Sequence, residues 1–535
     1  MKSIQRLWSV VSLVLVAGCG DPSVGALPSE APPIPVEPSP RALPSAPPGV
    51  AGFQPPPSCV GDCGATAHSH AAPQPAVARP LSPWNGATVA RTRPTLRWAL
   101  SDGARGARAE LCRDRSCAAP ALALEVPGAE LTVPSEIAPG VWFWRLRAFG
   151  KDGPAANYSA TWSFRVRARD GASEGAFGLL PDVNGDGLSD VVHRWNAIAW
   201  HPGRREGLEP RRQGRLTPLG GASEPFAVVG DLDGDGYQDT LQVALGPLRA
   251  VVHPGGPEGP SNAHTWTVAL PAEEASVTRV LGVGDVHGDG YSDALLGMAS
   301  GAWLLLRGSR DHGPALQRLP LPEGSRPTEA YPSDYDGDGY ADVALGGAGL
   351  VLLLGSAGGP LFVTEMPEIT CQFGASGGDL DGDGFGDLAC LDRVPGGLRY
   401  HRFEGRRRGL SRAPTETRVL PVGATPNPSR VDASMAQDLD GDGRSELLVG
   451  LGWAESAVTE LRLYGGGGVE GRSLLRVPEA PHEIDAVLRA VGDTDGDGRD
   501  EVLVTTRDGW RTGGTRVLSQ GADGAAALRR LVCEP

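Results

Sequence analysis

Lysine is nearly missing from this chain. Of its 49 basic residues only Lys2 and Lys151 are lysine, and 64 acidic residues leave a formal net charge of −15. That balance excludes nucleic acid as a partner, since phosphate binding needs a basic face. Aromatic residues make up only 6% of the 535 positions. Catalytic constellations are scarce as well. The ten histidines are scattered, with no His-Glu-x-x-His run among them. Gly374-Ala-Ser376-Gly-Gly378 matches Gly-x-Ser-x-Gly, yet it lies on the approach to an acidic loop and not between a strand and a helix. The carboxylates that could serve as acid and base are taken up in a repeated loop as candidate metal ligands, so no enzyme is expected.

What the chain has in abundance is Gly (76), Pro (48) and Asp in a fixed pattern. Its length suits about two to four ordinary domains. Lys2 and Arg6 precede the apolar stretch Val10 to Val16, which is too short to span a bilayer and reads as a secretion signal. The stretch ends Val16-Ala17-Gly18-Cys19, which resembles a bacterial lipobox. The resemblance implies cleavage after residue 18 and lipidation of Cys19. Gly20, where inner-membrane retention would favour Asp, points to an outer-membrane or surface position over the periplasmic face of the inner membrane. Export suits the remaining cysteines: Cys59 and Cys63, Cys112 and Cys117, and Cys371 and Cys390 can form disulfides, leaving Cys533 unmatched.

Residues 19–79 carry Pro22, Pro28, Pro32, Pro33, Pro35 and many more prolines among Ala, Ser and Gly. Such a segment cannot bury a core and is expected to be a disordered, polyproline-like stalk. At about 3.1 Å per residue it would reach on the order of 150 Å. Cys59, Cys63, His68 and His70 fall within it, at a spacing that matches no zinc motif; a small disulfide loop is the better reading.

Between residues 80 and 168 the pattern becomes period-two. Leu96 and Trp98 share one face, as do Trp142, Trp144, Leu146 and Ala148, and then Trp162, Phe164 and Val166, with arginines opposite. This predicts half-buried strands of a β-sandwich. Pro94-Thr-Leu-Arg-Trp98 and Val141-Trp-Phe-Trp-Arg-Leu-Arg-Ala148 resemble the tryptophan strand and the penultimate strand of fibronectin type III domains, with Trp142 where that family carries a tyrosine. The module is expected to act as a spacer or an interaction domain.

From about 173 to 535 one nonapeptide recurs. Its most regular copy is Asp231-Leu-Asp233-Gly-Asp235-Gly-Tyr-Gln-Asp239. Carboxylates at positions 1, 3, 5 and 9 repel one another unless a cation sits among them, and glycine at position 6 allows the bend that returns position 9. Several hard oxygens in a flexible loop suit Ca2+. The seven copies supply, as candidate ligands, Asp182, Asn184, Asp186 and Asp190; Asp231, Asp233, Asp235 and Asp239; Asp285, Asp289 and Asp293, with His287 at position 3; Asp334, Asp336, Asp338 and Asp342; Asp379, Asp381, Asp383 and Asp387; Asp438, Asp440, Asp442 and Glu446; and Asp493, Asp495, Asp497 and Glu501. Asn184 and His287 each remove a carboxylate, which weakens the first and third loops as cation sites. An EF-hand is excluded, because position 12 is His193, Gln242, Leu345 or Cys390 in four copies and the flanks are β-rich.

Each unit of about fifty residues reads as four strands with the acidic loop between the first two. In the second unit these are 226–230, 240–245, 248–253 and 263–270. Such units are propeller blades. The loops, with Phe177-Gly178 and Phe373-Gly374-Ala375, resemble FG-GAP (VCBS-type) repeats of the kind found in integrin alpha chains. The resemblance implies a seven-bladed β-propeller over 173–535, with metal held by positions 1, 3, 5 and 9 and the position-7 carbonyl. Up to seven Ca2+ would bring the net charge from −15 to about −1.

The sequence therefore predicts an all-β chain: a signal at 1–18, a lipidated Cys19 with a linker to 79, a sandwich at 80–168 and a seven-bladed propeller. It is expected to be a monomer held to a membrane by its lipid and to bind a protein or a polysaccharide at the cell surface. A lectin and a protein of polysaccharide breakdown are the alternatives.

Overall fold

In the computed structural model the described residues are 78–151, 153–167 and 180–530, the last range interrupted at 195–196, 206, 210–212, 218, 220–223, 264–265, 311–314, 422–427, 429, 437–438, 440–443, 454–457, 465–471, 479–486, 498, 506–514 and 521–525. The signal segment, Cys19, the linker up to residue 77 with Cys59 and Cys63, Phe177-Gly178, Asp438, Asp440, Asp442 and Cys533 lie outside them. Every element among the described residues is a strand, apart from turns and bends.

Residues 78–167 form two facing sheets. One joins β1 (Ala78–Ser82), β3 (Thr95–Leu100) and β6 (Glu130–Thr132). The other runs β2 (Ala87–Val89), β9 (Trp162–Val166), β7 (Gly140–Gly150), β4 (Ala104–Cys112) and β5 (Leu122–Pro127), with the short β8 (Gly153–Pro154) on β7. The alternating residues fill the space between them: Leu96, Trp98, Trp144, Leu146, Trp162, Phe164 and Val166 share one core. Trp144 and Trp162 meet edge to face, with centroids 6.1 Å apart. Cys112 and Cys117 close the turn after β4 with a disulfide, and Cys371 is bonded to Cys390.

Seven small antiparallel sheets follow among the described residues. The first consists of Val191–Arg194, Ile198–His201 and Gly214–Leu216. The second is Phe226–Gly230, Asp239–Leu245, Leu248–His253 and Trp266–Ala269, so its fourth strand is shorter than the sequence suggested. The others are four-stranded meanders at 277–318, 329–366, 373–421, 430–478 and 487–530. Their middle strands are buried on both faces, which is why Asp293–Met298 reads as a nearly unbroken apolar run.

The buried face of each sheet packs on the next. Leu241 and Val243 meet Ala294 and Leu296, Leu295 and Leu305 meet Val343 and Leu345, and Ala389 and Leu391 meet Val449 and Leu451. Val191 and Leu208 of the first sheet pack on Val491 and Leu503 of the seventh. The order is circular, and the architecture is β-propeller-like.

In one respect the sandwich departs from the expected half-buried strands. Arg165 and Arg167, on the face of β9 away from the core, are 1% and 2% exposed. They are covered because this face rests on the acidic loops of the small sheets.

Candidate metal centre

Each acidic loop begins where a sheet's first strand ends. In the second, third and seventh sheets that strand ends on Gly230, Gly284 or Gly492, with φ between 82° and 87°. These glycines pair with the loop's ninth residue across a register shift, at Gly230↔Asp239, Gly284↔Asp293 and Gly492↔Glu501. The bulge turns the chain out of the strand and into the loop.

Inside the second loop the backbone holds every carboxylate in place. Asp231 accepts from the amides of Gly234 (2.6 Å) and Gly236 (3.0 Å). Asp233 accepts from Asp235 N–H and Asp235 from Tyr237 N–H. Asp239 is fully buried; one oxygen accepts from Leu232 N–H at 2.9 Å and the other from Gly255 N–H at 3.0 Å. The ninth-position carboxylate repeats this double role in Asp190, Asp293, Asp342 and Asp387. Glu446 and Glu501 accept from the amides of Leu439 and Thr494.

Carboxylate oxygens gather within 4.8 Å of one another in four loops: Asp231, Asp233 and Asp239; Asp334, Asp336 and Asp342; Asp379, Asp381 and Asp387; and Asp493, Asp495 and Asp497. Three such oxygens in one turn, backed by backbone donors, form a donor set that fits a hard divalent cation. Without one, several of the buried carboxyls are pushed toward the protonated form. Burial, reinforced by Asp381, pushes Asp387 up to about 8; burial also pushes Asp231 and Asp383 up to about 6. Asp334 and Asp342 are raised by burial and by the neighbouring carboxylates.

The third loop is furnished differently. His287 Nδ1 lies 2.9 Å from Asp293, Arg307 Nη2 2.8 Å from Asp289, and Asn85 of the sandwich donates to Asp285 at 3.2 Å. Each of its carboxylates has a protein partner, and the set does not fit a metal. In the first loop Asn184 donates to Asp186 at 3.0 Å and Arg165 Nε stands 3.8 Å from Asp182. Neither Asn85 nor Arg307 carries a signal in the sequence, since both act from outside the nonapeptide.

Neighbouring loops are bonded together. The amide of the eighth residue donates to the carbonyl of the first residue of the preceding loop: Ser292 to Asp231, Ala341 to Asp285, Gly386 to Asp334, Ser445 to Asp379, and Ser189 to Asp493, at 2.7 to 3.1 Å. The last of these joins the seventh loop to the first. Between the first two loops the side chain of Gln238 makes the link, accepting from Asp182 N–H and donating to Leu180 O. The seventh residue of each following loop covers the glycine at position 4: Tyr237 on Gly185, Tyr291 on Gly234, Phe385 on Gly337.

The sandwich lies across this face. Trp84 packs among Val283, Val286 and Ala341. Arg115 donates to the carbonyls of Gly234 (2.8 Å) and Gly290, Arg165 to Gly236 O (3.1 Å), and Arg79 to Asp338 O. Arg167 pairs with Asp500 at 2.8 Å. Ser376, the centre of the Gly-x-Ser-x-Gly match, donates its hydroxyl to Pro332 O at 2.9 Å in the neighbouring sheet.

No family model and no curated protein matches this chain. Among solved structures, it is similar to Sqt1 of Saccharomyces cerevisiae (8% identity, 74% of this chain and 94% of that one, TM-score 0.37). It is similar also to a protein from Lactobacillus plantarum (12%, 65% and 96%, TM-score 0.42). A third likeness is to a rhamnogalacturonan lyase of Bacillus licheniformis (13%, 86% and 91%, TM-score 0.35). At these scores the likenesses carry no functional argument.

Two predictions arise here. Asp239→Asn sets an amide donor against a backbone N–H and is expected to cost about 1–3 kcal/mol in chelator. Asp233→Asn keeps its acceptor and should lower only the stability gained on adding Ca2+. Denaturant unfolding of both variants with and without Ca2+ decides it; no loss for Asp239→Asn in chelator would remove the structural role of position 9.

The second concerns pH. Unfolded aspartates titrate near about 3.9, so the metal-free fold binds more protons than the unfolded chain up to about pH 8. These groups therefore stabilise most below about pH 4, and the contribution is lost as pH rises through about 6 to 8. The melting temperature of calcium-stripped protein should fall from pH 5 to 8.5, and Ca2+ should flatten the fall. A metal-free melting temperature that rises over this range would contradict it.

Proposed function

We propose that this chain is a calcium-stapled lipoprotein of a bacterial envelope that binds a protein or a surface polysaccharide and catalyses no reaction. On this reading the seven sheets are the blades of an FG-GAP-type propeller, the domain ahead of them is of fibronectin type III type, and Cys19 anchors the chain to the outer membrane or cell surface. Calcium is assigned to the second, fourth, fifth and seventh loops, where three carboxylates converge. Asn184 weakens the first loop, and protein partners satisfy the third. At tenfold saturation each site would add roughly 1.4 kcal/mol of stability.

The observation that carries the binding role is which face stays open. The sandwich covers much of the loop face, and the repeated carboxylates are engaged by backbone amides. On the opposite edge the turn at 299–302 and the connection at 319–326 enclose a cavity of about 240 Å3 lined by Ser300, Trp303, Arg318, Leu321, Ser325 and Arg326. Arg318 and Arg326 are exposed there, in a chain that is acidic overall. A partner with anionic groups suits such a place.

Two measurements test the reading. Calorimetric titration with Ca2+ should lose one bound ion in Asp334→Asn/Asp336→Asn, which removes two of the three converging carboxylates of the fourth loop; an unchanged number would remove the cation assignment of that loop. A glycan array probed with the full chain separates the two partner classes. Selective binding that Arg318→Ala weakens would favour the polysaccharide, and uniform silence would favour a protein.

A further inference from the structure

We infer that the sandwich reads the wrapped shape of the acidic loops, so that cation uptake in the second loop and docking of the sandwich are linked, with Arg115 and Arg165 as positioning residues. The inference rests on the calcium reading above and goes beyond it.

Its basis is where the arginines donate. Arg115 and Arg165 do not bond primarily to carboxylates; they take the carbonyls of Gly234 and Gly236, positions 4 and 6 of the second loop. Those carbonyls point out of the loop because the amide across the same peptide turns inward in each case, Asp235 N–H going to Asp233 and Tyr237 N–H to Asp235. A cation that draws positions 1, 3 and 9 together therefore fixes the outer carbonyls as well. An arginine that holds the carbonyls in turn holds the amides on Asp233 and Asp235. Linkage of this kind is reciprocal by thermodynamic necessity.

The position-6 glycines carry a second, independent sign. A Cβ on Gly236 would lie 2.8 Å from Phe143, on Gly187 2.5 Å from Val166 O, and on Gly339 2.8 Å from Trp162. The sandwich thus rests directly on the bend of the first, second and fourth loops. The fifth loop has no such cover: a Cβ on Gly384 would meet nothing within 4 Å, and the residue is exposed. Its donor set matches that of the second loop, Asp379, Asp381 and Asp387 against Asp231, Asp233 and Asp239. It is a built-in control.

Hydrogen exchange of the full chain, read by mass spectrometry during titration with Ca2+ from a calcium-stripped state, tests the linkage. Calcium is expected to protect the second and fifth loops. It should also slow exchange at Gly86 and Ser163, whose amides bond within the part of the sandwich that faces the ring, while leaving the outer pairing of β4 with β5 unchanged. In Arg115→Ala/Arg165→Ala the calcium midpoint of the second loop should rise roughly fivefold or more, the lower end of ordinary coupling, with the fifth loop unmoved. Should calcium protect both loops while Gly86 and Ser163 stay indifferent, the linkage is overturned and the calcium reading stands. Should no loop respond to calcium, both fall. Exchange in the unmodified chain distinguishes these outcomes even where the double variant does not fold.

Discussion

An amide at the eighth position of one acidic loop, donating to the carbonyl at the first position of the loop before it, joins neighbouring sheets at five junctions among the described residues. Each such bond contributes only about 0.5–1.5 kcal/mol net, and the apolar packing between sheets contributes more. The bonds set register. They place an aromatic residue at position 7 over its predecessor's position 4 at Gly185, Gly234, Gly288 and Gly337, where a Cβ would crowd the ring. Position 9 is held deep in the sheet, where both oxygens of each aspartate there accept from the backbone. A loop that failed to wrap would disturb its own sheet and the next, and the Ser189–Asp493 bond carries that dependence around to the start.

Wrapping concentrates negative charge, and the loops deal with it in different ways. In the third, Arg307 pairs with Asp289 and His287 bonds to Asp293. The first and second have guanidinium groups of the sandwich 3.8 Å from Asp182 and Asp231. Among the described residues no ion pair reaches the carboxylates of the fourth loop, and burial drives Asp334 and Asp342 far toward the protonated form. Buried carboxylates without a counter-charge are costly. The fourth loop is therefore where an external cation has most to offer, and the third where it has least. Seven nearly identical nonapeptides are not seven equivalent sites.

Much of this was legible in the sequence because it is periodic. Strand alternation gave the sandwich core, and the second sheet's first and third strands fall at 226–230 and 248–253, where the pattern put them. The loops could be found because their chemistry lies within nine consecutive residues. What could not be read acts across the fold. Arg165 and Arg167 looked like the wet side of a strand, since a period-two pattern marks only the apolar face and is silent on whether the polar one is covered. Trp84, alone between turns, carried no period. Glycine at position 4 has its reason in the following blade-like unit, some fifty residues away. Carbonyl oxygens, the acceptors that Arg115 and Arg165 use, are the same for every residue type and leave no trace in sequence.

That last point bears on what the sandwich is for. A module joined by side-chain ion pairs could tolerate changes in loop shape, because carboxylates swing on rotatable bonds. Backbone carbonyls do not swing independently; their directions are fixed by φ and ψ along the loop. By donating to Gly234, Gly236, Gly290 and Asp338 carbonyls, the sandwich is matched to one conformation of four successive contacts on three loops. The module expected to act as a spacer or an interaction domain makes these contacts with the loop backbone of its own chain. On the proposed reading, the loops that the sandwich covers are closed to a large partner, which leaves the edge formed by the turns and connections, where the repeat imposes no residue and sequences are free to differ.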